Sequence, residues 1–428
     1  MSALRAMNVR NNKVSDLQTK LFHVAKQTLD RKFGALYDKV YREDVMLEAW
    51  KRVRANKGAP GVDGQDFEYI ENEIGVKEFL EEIRQELKRR RYRAKPVKRC
   101  YVEKRDSSGK RPLGIPVIKD RIVQMAVKLV IEPIFEANFL NCSYGFRPKR
   151  SAHRAIKEIK GKLTLKGQRT VIDADIKGFF DNICHEIMMR LVKRRISDPR
   201  ILKLIEMWLK AGVMEKGKYI KSDGTGTPQG GVLSPLLSNI YIHSFDRMFE
   251  MSGIAGTLVR YCDDFVILVR RDGKQVQRRV EQMLKRLRLQ LNKDKTRIVD
   301  ARDGFDFLGV HFRMSRIGKK GAKKIKEHCV VWPSDRSMKR IRRRIKEVIS
   351  RRYELSLEEL IRELNPVVRG WNNYHTAIRP IGKRLRKLNP YVWDRIRIFL
   401  KRKYGDQSRG TRRAYGNLIV RLGLYQFG

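Results

Sequence analysis

The decapeptide VRYCDDFVIL, residues 259–268, sets two adjacent aspartates, Asp263 and Asp264, between two apolar runs. Each run reads as a buried strand, so the pattern predicts a hairpin whose turn is the acid pair. Aspartates are common in turns for backbone reasons alone. Two like charges beside apolar β segments nevertheless lose free energy unless something positive compensates them. Upstream, TVIDADI (170–176) alternates strictly and predicts a second strand. Alternation places Asp173 and Asp175 on one face and Ile172, Ala174 and Ile176 on the other. A glycine-bearing loop, TPQGGVLSP (227–235), lies between the two acidic strands.

A trio of carboxylates offers hard oxygen donors, the set Mg2+ takes when substrate phosphates complete its shell. Two such ions about 3.5–4 Å apart clamp an in-line phosphoryl displacement. The metal would then offset the charge of the acids. The rest of the chain points to a polyanionic partner. Lys and Arg number 96 against 48 Asp and Glu, a formal net charge of +48 spread along 428 residues. A merely soluble surface mixes the signs more evenly. A chain this basic repels itself and attracts nucleic acid.

The length predicts two or three packed units. Five cysteines (Cys100, Cys142, Cys184, Cys262 and Cys329) lack metal-ligand spacing, which argues against a zinc finger or a disulfide framework and fits a reducing cytosol. The N-terminal segment lacks the apolar core of a signal peptide, and no apolar run reaches the ~18 residues of a membrane span.

Residues 1–57 read as amphipathic helices, NKGAPGVDG (56–64) as a loop, and 76–92 as another helix. A hairpin is predicted over 98–116, with strands either side of DSSG. A helix over 119–139 shows one apolar face, and two more follow Cys184 and Asp198. Ser234 is expected to cap a helix that has Pro235 at its first position. From 335 a strongly basic helix presents Ile341, Ile345, Val348 and Ile349 on one face. The glycine- and lysine-rich segment around 315–330 marks a boundary before it.

Taken in order, KRPLGIP (110–116), YGFRPKRSAHRAI (144–156), DADIKGFFD (173–181), TPQGGVLSP, YCDD (261–264), LNKDKT (291–296), FLGV (307–310) and RGWNNY (369–374) closely resemble the reverse transcriptases encoded by group II introns, the maturases. YCDD alone is a weak signal, whereas the ordered set is very specific. The similarity runs from about residue 40 to the C-terminus.

The resemblance implies an α+β right-hand polymerase, with fingers, a palm of antiparallel sheet packed on helices, and an α-helical thumb that doubles as the maturase domain. The expected divisions are an N-terminal extension with part of the fingers (1–97), fingers and palm (98–315), thumb or maturase domain (316–385) and a basic, DNA-contacting helical C-terminal segment (386–428). It also implies catalysis by Asp175, Asp263 and Asp264, which with the backbone carbonyl of Ile176 would bind two Mg2+ ions, Mn2+ being a possible substitute. Asp173 falls outside that trio. Lys104, Arg111, Phe179, Gln229, Gly230 and Lys295 match nucleotide-contacting positions. Cations suit the charge that builds on phosphoryl oxygens. Gly230 would permit close backbone approach. Lys295 matches a lysine proposed to protonate pyrophosphate. Phe179 matches the aromatic gate against a ribonucleotide 2′-hydroxyl, with Phe180 its alternative and core packing open to either ring. Trp371 and Tyr374 are expected as core against the basic helix.

The implied partners are group II intron RNA, an RNA-template/DNA-primer duplex, deoxynucleoside triphosphates and target DNA, in a bacterial cytosol or at the nucleoid, with oligomeric state open. The family usually has Ala where Cys262 stands, a modest enlargement that leaves catalysis expected. No His/Cys cluster follows RLGLYQFG, so no DNA endonuclease unit and no second-strand nicking are expected. Competing readings are a splicing factor with lost polymerase activity, or a related enzyme recruited to host defence or repair.

Overall fold

The computed structural model describes residues 2–103, 109–227, 230–317, 326–350, 352–378, 382–405 and 420–428, with backbone alone over 2–12 and at Lys383. Lys104 and Gln229 lie outside the described residues.

Eleven strands are described: β1 (Val97–Glu103), β2 (Lys110–Ile115), β3 (Thr170–Asp175), β4 (Val213–Glu215), β5 (Lys218–Ile220), β6 (Gly256–Tyr261), β7 (Asp264–Val269), β8 (Arg297–Asp300), β9 (Phe305–Phe307), β10 (Val310–Ile317) and β11 (Lys326–Pro333). They form three sheets, ordered β2-β1-β4-β5, β6-β7-β3-β8 and β11-β10-β9. The middle sheet is antiparallel throughout and carries all three acids.

Its strands are buried on both faces, which explains the near-continuous apolar reading of β7. Alternation sorts their side chains between two cores. Ile172, Ala174, Phe265 and Ile267 join a large cluster with the helices Ser234–Glu250 and Gly273–Lys285. Val171, Val259, Val266 and Leu268 face the helix Ala152–Lys166 and strands β10 and β11. A one-residue slip would exchange the two sets, so the register is firmly specified.

The helix Ile118–Glu136 is buried almost all round, not on one face as its sequence suggests. The N-terminal helices Ser2–Gln27 and Glu43–Ala55 cover its second side. Arg121, on this helix, donates to the carbonyls of Pro116 and Ala59 and so ties down the NKGAPGVDG loop. Ser234 is already inside its helix rather than capping it; its hydroxyl accepts from Thr227 at 2.9 Å.

The boundary expected at 315/316 falls inside the β10–β11 hairpin, where Phe312 and Met314 share a core with Cys329 and Val331. Helical structure begins at Ser334, whose hydroxyl caps the basic helix Asp335–Ile349. Ile341, Ile345 and Ile349 of that helix pack against Leu360, Leu364 and Val368 of the helix Leu357–Thr376 and against Val392, Ile396 and Phe399 of Leu388–Tyr404. Leu424 and Phe427 belong to the same core, so the C-terminal residues complete the helical unit. Trp371 packs on Phe427 and donates to Ser337 of the basic helix. Tyr374 instead reaches the sheet region, donating to the Leu308 carbonyl at 2.8 Å.

Candidate active site

The two acidic segments meet directly. In the β3–β7 pairing Asp175 lies opposite Asp264, and in the β6–β7 hairpin Tyr261 lies opposite the same residue. The tight turn is therefore Cys262–Asp263, one residue earlier than the acid pair itself, with Asp264 opening β7. Cys262 takes φ of +61° and Asp263 does not join it in the left-handed region, the pattern of a turn whose first central residue is ordinarily glycine.

A buried network holds that turn from behind. Arg260 is fully buried within β6, and all five of its N–H donors are engaged. Two go to the carboxylate of Asp246, equally buried, at 2.8 and 2.6 Å. The others reach the Cys262 carbonyl at 2.8 Å, Asn239 Oδ1 at 3.3 Å and Ser143 Oγ at 2.8 Å. Asn239 in turn donates to the Gly145 carbonyl at 2.9 Å. A Cβ on Gly145 would stand 2.6 Å from the Cys262 nitrogen, so only glycine fits against the turn.

The acids are crowded and partly dehydrated. Asp263 is held above the usual carboxylate range by burial, with the charge of Asp175 adding to it and Arg111 opposing it. Asp264 is pushed up to about 7 by desolvation, then by the charges of Asp263 and Asp175 and a hydrogen bond with Asp175. One face of Asp264 nevertheless remains open to solvent, at the mouth of the site. Asp175 is paired with Lys295 Nζ at 2.8 Å and accepts from Asn292 Nδ2 at 3.1 Å. The same contact raises the Lys295 ammonium. The Asn292 amide also donates to the Asp175 carbonyl at 2.7 Å, and an isolated bridge joins Ile176 to Leu291.

Among the described residues no three Asp, Glu, His or Cys side chains converge in an arrangement that holds a metal ion as they stand. The donor chemistry still fits a hard divalent cation. Three carboxylates repel one another at one end of a sheet, and the Lys295 ammonium already occupies a cation's place on Asp175.

Of the expected nucleotide contacts, Arg111 is exposed on β2 and close enough to lower Asp263. Gly230 adopts φ of +115°, where a Cβ would stand 2.8 Å from the Gly114 carbonyl. The glycine loop thus lies against the β2 strand. Phe179 is 2% exposed and belongs to the large core, whereas Phe180, packed on its edge, is only partly buried. Asp173 sits opposite Arg297 on β8 and is pushed up to about 6 by burial. Arg260, Asn292 and Gly145 were not singled out from sequence. The signal for Arg260 was present, a lone charge inside an apolar strand.

An acid-bearing hairpin paired with an acidic strand, beside a basic two-stranded flap against which Gly230 lies, defines a polymerase palm with its fingers. Residues 102–312 match the family described as reverse transcriptase (RNA-dependent DNA polymerase), and residues 338–416 match the group II intron maturase-specific domain. Protein YkfC of Escherichia coli K12 is 36% identical over 337 residues, which cover 69% of this chain and 87% of YkfC. The group II intron-encoded protein LtrA of Lactococcus lactis is 32% identical over 360 residues, covering 69% of this chain and 59% of LtrA. The chain belongs to the group II intron-encoded reverse transcriptases and is an RNA-directed DNA polymerase carrying a maturase-specific domain. A chain of a Cas6-RT-Cas1–Cas2 complex, 25% identical, aligns with a TM-score of 0.37 over 59% of this chain and 41% of that one, too low to add to the assignment. Among the described residues no helix is long and apolar enough to cross a membrane.

Proposed function

We propose that the enzyme extends a DNA primer on an RNA template by two-metal nucleotidyl transfer, with Mg2+ as the resident ion and Mn2+ as a substitute. The same chain binds its group II intron RNA to assist splicing and copies it into a DNA target, in the cytosol or at the nucleoid. The observation that carries this reading is the direct pairing of Asp175 with Asp264 across β3 and β7.

Asp175, Asp263, Asp264 and the backbone carbonyl of Ile176 are the groups assigned to the ions. When bound, the ions supply Lewis-acid activation of a 3′-hydroxyl and neutralise charge on the triphosphate. The chain's own residues do the rest. Arg111 faces the acids from the flap, where its fixed charge suits phosphoryl oxygens. Lys104, which follows β1 in the sequence, is assigned the same role. Lys295, raised by its carboxylate partner, carries a proton that it can deliver to departing pyrophosphate. Gly230 admits the sugar closely, and Gln229, which precedes it in the sequence, is assigned a contact near the same sugar. The sugar gate remains between Phe179 and Phe180, and the burial of Phe179 weighs toward the second.

Extension of a DNA primer on an RNA template with Mg2+ tests the polymerase chemistry; no product above an Asp263→Ala control rejects it. Sequencing of RNA that co-purifies with the protein tests the intron partner. Enrichment of a group II intron supports splicing and mobility, and its absence favours recruitment to another role.

A further inference from the structure

Asp120, Arg121 and Gln124 are polar side chains buried near the start of the helix Ile118–Glu136. Burying such groups costs free energy unless each is hydrogen-bonded, so their partners show what this turn holds. Asp120 accepts from the Tyr92 hydroxyl at 2.6 Å and from the Lys95 amide at 3.0 Å, just before β1. Arg121 donates to the Pro116 carbonyl at 2.7 Å, just after β2. The two roots of the basic flap therefore meet on this turn. Gln124 reaches the glycine loop instead. Its Oε1 accepts from the Val232 amide at 3.0 Å and from the Leu233 amide at 3.4 Å.

Those two amides form the exit of the loop. Its entry is held elsewhere: the Thr227 amide donates to the Phe180 carbonyl at 2.9 Å, and the Thr227 hydroxyl donates to Ser234 across the base of the loop. Close packing alone does not fix the exit. A cavity of about 20 Å3, room for about one water, is lined by the turn and the loop together, with Asp120, Gln124, Gly231 and Leu233 in its wall. Gly230, two residues before Val232, stands against the Gly114 carbonyl of β2. Flap and glycine loop thus touch at Gly230, and one helical turn carries both.

We propose that Gln124 is a positioning residue for the incoming nucleotide: it sets Gly230 at the separation from the flap that admits a deoxynucleotide sugar. This rests on the polymerase reading above. In that reading the phosphates lie toward Arg111 and the acids, and the sugar lies toward Gly230. Losing the two bonds to Gln124 loosens the loop on the sugar side and leaves the phosphate side as it was. The sugar wall stands before the reaction and serves ground state and transition state alike. Its loss therefore falls on nucleotide affinity and not on the rate at saturation.

The test is equilibrium binding of the next deoxynucleoside triphosphate to the full chain holding a dideoxy-terminated DNA primer on an RNA template with Mg2+. Single-turnover extension of the unblocked primer accompanies it. Gln124→Met removes the acceptor at nearly constant volume, and Gln124→Asn withdraws it by one methylene. Each is expected to weaken nucleotide binding about tenfold, which is about 1.4 kcal/mol and the order of a buried donor left unsatisfied. Duplex affinity, the rate at saturating nucleotide and inhibition by inorganic pyrophosphate should stay with the wild type. Nucleotide affinity equal to the wild type in both variants overturns the proposal. So does a loss shared equally by nucleotide, pyrophosphate and duplex, or two variants that fail to fold, since each marks a merely structural residue. If the wild type binds the nucleotide but never extends the primer, the polymerase reading fails while the affinity comparison still decides Gln124. A wild type that binds no nucleotide overturns both.

Discussion

Replacing Arg260 with Met is the most informative single perturbation of the palm. The change removes five hydrogen bonds and leaves the Asp246 carboxylate, 0% exposed, without its counter-ion. Removing one partner of a buried ion pair destabilises by about 3–5 kcal/mol. At about 2–4 °C per kcal/mol for a unit of 150–250 residues, the midpoint should fall by about 6–20 °C. The double change Arg260→Met with Asp246→Leu removes both charges and should restore most of that loss. It does not restore the bond to the Cys262 carbonyl that fixes the catalytic turn. Thermal unfolding and single-turnover extension of a pre-bound primer, run on all three proteins, separate the two effects. The double variant is expected to be stable yet slow, with primer affinity near that of the wild type. A single variant that unfolds within about 1 kcal/mol of the wild type refutes the buried-pair argument. A double variant that extends at the wild-type rate refutes the positioning argument.

Other outcomes follow from the same structure. Asp120, 1% exposed, accepts from Tyr92 Oη at 2.6 Å and the Lys95 amide at 3.0 Å, and burial pushes its carboxyl up to about 6. The folded chain keeps a proton that the unfolded chain releases from about pH 4 upward. Stability from this group should therefore fall by about 3 kcal/mol between about pH 4 and 6 and level above that. Asp120→Asn should flatten this segment in unfolding measured across pH. Phe180→Ala should raise ribonucleotide incorporation in a sugar-selection assay, whereas Phe179→Ala should chiefly destabilise, by about 3–5 kcal/mol. Lys295→Met should slow extension while leaving primer affinity unchanged, read from pre-steady-state rates against Kd. Changing the exposed Arg336 and Lys339 to Gln should each flatten the salt dependence of RNA binding by about one unit of log–log slope.

Much of the palm was legible because its strands obey a period of two and their turns are marked by polar residues. That Asp175 meets the acid pair was implied by the family resemblance; its register opposite Asp264 across β3 and β7 came from the structure. Local pattern could not supply what depends on distant partners. Arg260 looks like a misplaced charge until Asp246, on the helix Ser234–Glu250, is seen behind it. The helix Ile118–Glu136 hides its second buried face because the N-terminal helices that cover it are remote in the chain. The boundary near 315 was drawn through glycines and lysines that connect two paired strands, β10 and β11. Polar composition marks a connection, and it cannot say whether the flanking segments part or fold back together. The turn register missed by one residue because aspartate suits both the turn and the strand that follows it.

Residues 175, 263 and 264 are proposed to act as one cation-binding group. The most direct measurement is Mn2+ binding, read by electron paramagnetic resonance, to enzyme holding a dideoxy-terminated primer on RNA and the next nucleotide. Bound Mn2+ is expected in the wild type, with a marked loss of affinity in Asp175→Asn and in Asp264→Asn and duplex binding retained. Unchanged Mn2+ affinity in Asp175→Asn would contradict this grouping, because the carboxylate opposite Asp264 would then have no part in holding the metal.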